Sequence, residues 1–186
     1  MSVVPKSFCS GQVIFQDYGT TLEEVISFLQ NRDFSEFCFN DGEGYALIDS
    51  EAGEILTEHK ESDKVIPEET VRRMLNVLEH IDEYIENAYN WFINLNPDED
   101  DTLAANLDPQ FSQEIYEVNG INFGDIRDTS NFLVWKRYRV GRHHPIYPTD
   151  SFSIEFQYPR SGYFFFIVKF DYKNMLPYEL ELWRIC

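Results

Sequence analysis

The sequence is short of cysteine, of positive charge and of long apolar runs, and each shortage excludes something. Among 186 residues there are three cysteines, Cys9, Cys38 and Cys186. The count is odd and no two lie close together, so there is neither a disulfide framework nor a C-x-x-C pair. Reduced thiols in a cytoplasmic protein are the expectation from that usage. Cys186 is terminal, whereas a prenylation box places its cysteine four residues from the end. No stretch approaches the roughly 18 consecutive apolar residues of a membrane span. Met1 to Phe8 lack a basic stretch followed by an apolar run, so no signal peptide is read there. The nucleophile elbow, the phosphate loop and the dinucleotide fingerprint are all missing. Asp41-Gly-Glu-Gly44 is a turn and no phosphate loop, because it sets carboxylates where phosphate would sit and no lysine follows it. No catalytic residue and no cofactor is assigned.

Positive charge is scarce and unevenly placed. The chain has 33 Asp/Glu against 15 Lys/Arg, a net charge of −18. Residues 1–130 hold 28 of the acids and 7 of the bases, while residues 131–186 hold 5 and 8. Net charge governs solubility and association rather than fold. An anionic surface repels anionic lipid and the nucleic-acid backbone, so neither membrane nor nucleic acid is the expected partner. A basic protein is. Aromatic content of 16% separates the chain from disordered acidic proteins, which are poor in such residues. Folding a chain of this length buries roughly 70% of its surface, enough for a core without metal or disulfides.

Periodicity predicts α+β architecture in a single domain, with an acidic part over 1–110 and a β-rich part over 111–186. Residues 21–32 read as a short helix with Thr21 as N-cap and Glu23 and Glu24 in the first turn. Residues 35–58 read as a small hairpin or meander, turning at 41–44 and at Ala52-Gly53. After a polar link, Pro67 opens a predicted helix running to about Leu95, roughly 43 Å long. Val71, Leu75, Leu78, Ile85, Tyr89 and Phe92 form its apolar stripe. Asn119-Gly120, between Ile115–Val118 and Ile121–Phe123, is a strong hairpin signal. Strands are predicted over 132–140, 151–158, 163–170 and 178–183. The run Tyr163–Phe170 is apolar throughout except at Lys169 and suits a central strand covered on both faces. The expected whole is an antiparallel C-terminal sheet with one long helix packed on it, plus a small N-terminal helix and hairpin.

The candidate contact residues follow from charge. Glu79, Asp82, Glu83 and Glu86 fall on the polar side of the predicted long helix, and no Lys or Arg occurs between 74 and 96. Like charges three and four apart destabilise a helix by a few tenths of a kcal/mol per pair. A helix that merely faced solvent would mix the signs. Asp98, Glu99, Asp100 and Asp101 form the densest run. They do not open a calcium loop, because Leu103 and Pro109 stand where that loop needs Gly and Glu. Trp91 lies off the apolar stripe and is a candidate anchor beside this run; Tyr84, Tyr89 and Phe92 are further aromatics near the helix end. His143-His144 has no companion pair at zinc spacing, so no metal is assigned. The basic stretch Lys136–His144 is expected to pair with the acidic half. Glu155, Glu179 and Glu181 are the least unreasonable acid–base candidates, although alternation places each on the exposed side of its strand.

A small acidic α+β chain with an amphipathic helix, the segment Tyr116-Glu-Val-Asn-Gly-Ile-Asn-Phe-Gly124 and an aromatic antiparallel sheet resembles bacterial immunity proteins of polymorphic or contact-dependent toxin systems. The resemblance is one of general character over most of the chain. It implies a non-enzymatic inhibitor that occludes the active site of a basic toxin or nuclease, its field speeding association. The alternatives are an assembly protein that dimerises through its sheet, and a small enzyme or ligand-binding domain with a carboxylate site in an aromatic pocket.

Overall fold

Elements form where local chemistry and packing agree. The computed structural model describes residues 6–8, 11–59, 63–93, 115–124, 132–139, 151–157, 164–173 and 175–185. In chain order they form β1 (Lys6–Phe8), β2 (Gly11–Ile14), α1 (Leu22–Asn31), β3 (Cys38–Asn40), β4 (Tyr45–Ser50), β5 (Gly53–Glu58), α2 (Glu68–Glu79), α3 (Ile81–Ile93), β6 (Ile115–Phe123), β7 (Phe132–Arg139), β8 (Ser151–Gln157), β9 (Phe164–Asp171) and β10 (Pro177–Ile185). This is an α+β fold with a mostly antiparallel sheet in the order β3-β4-β5-β6-β8-β9-β10-β7.

α1 begins as its sequence predicts. The Thr21 hydroxyl accepts the Glu24 N–H at 3.2 Å and the Glu24 carboxylate accepts the Thr21 N–H at 2.9 Å. This reciprocal box satisfies two N–H groups that a helix start leaves unpaired. At the other end Arg32 adopts a left-handed conformation and its guanidinium pairs with Glu68, tying α1 to the start of α2.

The single long helix is not formed. It breaks at His80 into α2 and α3. His80 takes φ −119° and ψ 21°, and its N–H donates to Val77 O at 3.1 Å, one residue short of the α-helical partner. That partner, the Asn76 carbonyl, instead lies 2.9 Å from the His80 ring Nδ1. The His80 carbonyl then accepts from Glu83 N at 3.0 Å and Tyr84 N at 3.2 Å, starting α3. An apolar stripe of helical period continues across such a break, because both helices bury it in the same core. Periodicity therefore did not reveal it.

The meander β3-β4-β5 is also not a separate hairpin unit. β5 joins β6 in parallel, with Ile55 opposite Ile121 and Thr57 opposite Phe123. β2 pairs in parallel with the first half of the same β6 edge, Ile14 opposite Glu117. The two strands thus share one edge end to end. Where β5 begins, Gly53 has φ +76°, and a Cβ there would stand 2.1 Å from the Asn119 carbonyl oxygen. Only glycine allows this approach.

Asn119-Gly120 makes no hairpin. β6 runs straight through it, and the register with β8 slips so that Val118 faces Phe156 and Gly120 faces Glu155. Asn119 is the extra residue of a β-bulge. Residues that permit a turn also permit a bulge, and pairing on both edges of β6 selected the latter.

The core lies between the helices and one face of this sheet. Val25, Leu29, Val71, Met74, Val77, Ile85 and Ala88 meet Ile55, Val118, Ile121, Phe152, Ile154, Phe170 and Leu180. Tyr84 of α3 stands edge-on to Phe152 and Phe170, with centroids 5.0 and 5.3 Å away. Phe152 in turn stacks on Phe170 at 5.1 Å. β9 is a central strand, as its composition implies: Ile167 and Val168, adjacent and on opposite faces, are both buried.

Candidate functional site

Two sets of carboxylates stand out, and they are built differently. The first belongs to α2 and α3. Val71, Met74, Val77, Leu78, Ile81, Tyr84 and Ile85 bury one side of this helix pair. Glu79, Asp82, Glu83 and Glu86 consequently face water, and all four are exposed. The break at His80 changes their energetics. Asp82 and Glu83 occupy the first turn of α3, where the positive end of the helix dipole favours anions. Part of the repulsion expected of a continuous helix is thereby offset. Glu79 closes α2, where the dipole is unfavourable, and accepts from Gln30 Nε2 of α1 at 3.3 Å. None of the three described helices has a basic residue in its last turn.

Trp91 falls near the end of α3, and its side chain lies outside the described residues, as do those of Tyr89 and Phe92. Asp98, Glu99, Asp100 and Asp101 lie wholly outside them, as do His143 and His144. Tyr84 is not an available anchor: it is part of the core, and burial pushes its hydroxyl up, helped by the charges of Asp171 and Glu83.

The second set corrects an expectation. Glu155, Glu179 and Glu181 alternate with core residues as predicted, on the sheet face opposite the helices. Yet they are only 3%, 4% and 1% exposed. Alternation assigns a face, but it does not say whether that face meets water. Lys169 of β9 lies between the two β10 carboxylates, its Nζ 3.0 Å from Glu179 Oε1 and 3.1 Å from Glu181 Oε1. Burial pulls this ammonium down, but the charge of Glu181 and the hydrogen bond and charge of Glu179 outweigh it, and the net shift is upward. The β10–β7 register also sets Arg139 opposite Glu179 and Arg137 opposite Glu181. Beside the cluster, burial pushes the Tyr178 hydroxyl up, against a hydrogen bond with Ser151 and the charge of Lys169. Glu155 accepts from Asn119 Nδ2 at 2.8 Å, so the bulge residue holds the third buried carboxylate.

The cluster could have been found in the sequence. A lone lysine in an apolar run, followed by Glu-x-Glu in the next strand, predicts a cross-strand pairing on one face. Chemically it is a lysine held by two carboxylates, the arrangement that makes buried acids tolerable. A shallow cleft next to it is lined by Glu54, Leu56, Asn119, Asn122, Ser153 and Glu155. Among the described residues no three His, Cys, Asp or Glu converge as metal ligands would, and no helix is long and apolar enough to cross a membrane. No family model matches the chain, and neither a curated protein nor a solved structure does.

Proposed function

We propose that this chain is a non-enzymatic acidic binding protein that docks on a basic partner through the ridge formed by Glu79, Asp82, Glu83 and Glu86, in the manner of an immunity protein occluding a basic toxin or nuclease. The observation that carries the reading is the exposure of these four carboxylates across two helices, in a stretch with no Lys or Arg from 74 to 96. A cleft in a basic protein would meet them with complementary potential, which raises the rate of encounter. Trp91 and Asp98–Asp101 extend the proposed surface by proximity in sequence.

The test is capture of partners from lysate of the native host, at about 50 and about 500 mM salt, a range over which surface fields are progressively screened. Wild-type chain is compared with E79Q/D82N/E83Q/E86Q. The reading expects a stoichiometric basic protein that associates more slowly with the variant and at high salt. Equal capture by both proteins would sink this placement of the surface. The enzymatic alternative draws its support from the buried carboxylates, but two of them are engaged by the Lys169 ammonium, and the binding reading is preferred.

A further inference from the structure

β6 carries a notch on the sheet face away from the helices. Gly120 is paired with Glu54 of β5 on one side and with Glu155 of β8 on the other. Neighbouring strands stand about 4.8 Å apart, so the two acidic residues flank the glycine across a backbone span of about 10 Å. Glycine adds no side chain between them, and the space is left as the shallow cleft that Glu54, Gly120 and Glu155 line. Asn122, two residues further along β6 and on the same face, lines it too. Its Oδ1 is shielded from solvent and has no hydrogen-bond partner. A shielded acceptor without a donor is unfavourable, and a ligand that brings one relieves it. Glu155 is 3% exposed and accepts from Asn119 Nδ2 at 2.8 Å; the two oxygens of a carboxylate accept more than one such bond. Glu54 is exposed at the rim. Lys169, beyond Ser153 on the same face, gives its ammonium to Glu179 and Glu181 instead.

We propose that this notch binds a primary ammonium carried on an alkyl stem. The three N–H donors of the head group meet Glu54, Glu155 and Asn122 Oδ1. Leu56, opposite Asn122 on β5, lines the stem. Size selects the head group. The cleft has a volume of about 10 Å³, the space of one water-sized group. An ammonium is compact, whereas a guanidinium is planar and broad. The donor set does not suit a metal ion. Two carboxylates and an amide oxygen fall short of the roughly six to eight oxygens that calcium takes, and among the described residues no three His, Cys, Asp or Glu converge. The notch faces away from the ridge on α2 and α3, so it does not depend on the docking reading.

The test is an amide NMR titration of the full chain with n-butylammonium, beside tetramethylammonium, which has the same charge and no N–H. The expected result is a set of saturable shifts at Asn119, Gly120 and Asn122 with butylammonium alone. Binding should weaken about tenfold in Glu54→Gln, the scale of one charge-assisted hydrogen bond. Glu54 is exposed, so this variant keeps the core intact. Butylguanidinium should bind more weakly than butylammonium. Equal shifts with tetramethylammonium would overturn the site, because they would report general screening of an acidic chain. So would butylammonium binding that is absent, or unchanged in Glu54→Gln. A free amine and a lysine side chain both carry this head group, and a Gly-Lys-Gly peptide blocked at both ends separates them. Binding by the blocked peptide assigns the site to protein lysines; binding by butylammonium without it assigns the site to free amines.

Discussion

The carboxylates of the helices and those of the sheet are the same chemical group under opposite constraints. On α2 and α3, Glu79, Asp82, Glu83 and Glu86 are exposed with no Lys or Arg between residues 74 and 96. On β10, Glu179 and Glu181 are buried and share the ammonium of Lys169. A buried charge must be matched, because losing water costs several kcal/mol per ion. An exposed one is solvated by water and screened by salt, so it does not need a buried counter-charge. The difference separates acids that hold the fold from acids that face solvent.

The strongest way to break this comparison is Lys169→Met. It removes the ammonium that two buried carboxylates share and should cost about 3–5 kcal/mol, measured by urea unfolding. Adding Glu179→Gln and Glu181→Gln should recover part of that loss, because the two carboxylates that lost their ammonium are then uncharged. If Lys169→Met costs no more than a surface change, the cluster is not structural. The cluster should also show in alkali. The Lys169 ammonium is held above its ordinary value, so its contribution is present below the lysine value of the unfolded chain. It is lost as pH rises through the raised value in the fold. Tyr84 and Tyr178 are raised as well and act in the same direction. Stability should therefore hold up to about pH 10 and fall above it. A smaller fall in Lys169→Met would assign that share to the lysine.

Thr21→Ala tests a helical acid that is exposed and yet holds local structure. Glu24 is held below its usual value by its backbone and side-chain hydrogen bonds to Thr21, so it is structural although exposed. The substitution should cost about 1 kcal/mol, read as a lower thermal midpoint. The smallest effect should come from E79Q/D82N/E83Q/E86Q. Removing like-charge pairs gains a few tenths of a kcal/mol each, and losing the favourable first-turn charges of α3 offsets part of that gain. The variant should unfold within about 1 kcal/mol of wild type while associating more slowly with a basic partner. A large destabilisation would place these acids with the structural set.

Much of the fold could be read from local pattern. The capping box at Thr21, the turns at 41–44 and 52–53, and the alternating strands expected over 151–158 and 178–183 each depend on neighbours within a few residues. The misreadings share one origin. Asn119-Gly120 became a bulge because strands paired on both edges of β6. The helix break at His80 left no mark on an apolar stripe that serves the same core. Glu155, Glu179 and Glu181 were assigned the correct face and the wrong exposure. For the proposed surface, the sequence identified the acids and the missing cations, while the break placing Asp82 and Glu83 at a helix start could not be foreseen from spacing.

The sequence by itself determined composition, the lopsided charge, the period of each element and the side of each element that seeks the core. These depend on residue type and on separations of a few residues. Tertiary structure decided which strands share an edge, where a helix ends when its stripe does not, and which polar side chains leave water. Those outcomes bring together residues far apart in the chain, as when Gly53 meets Asn119 and Lys169 meets Glu179 and Glu181. Their energies exist only once the partners are in place.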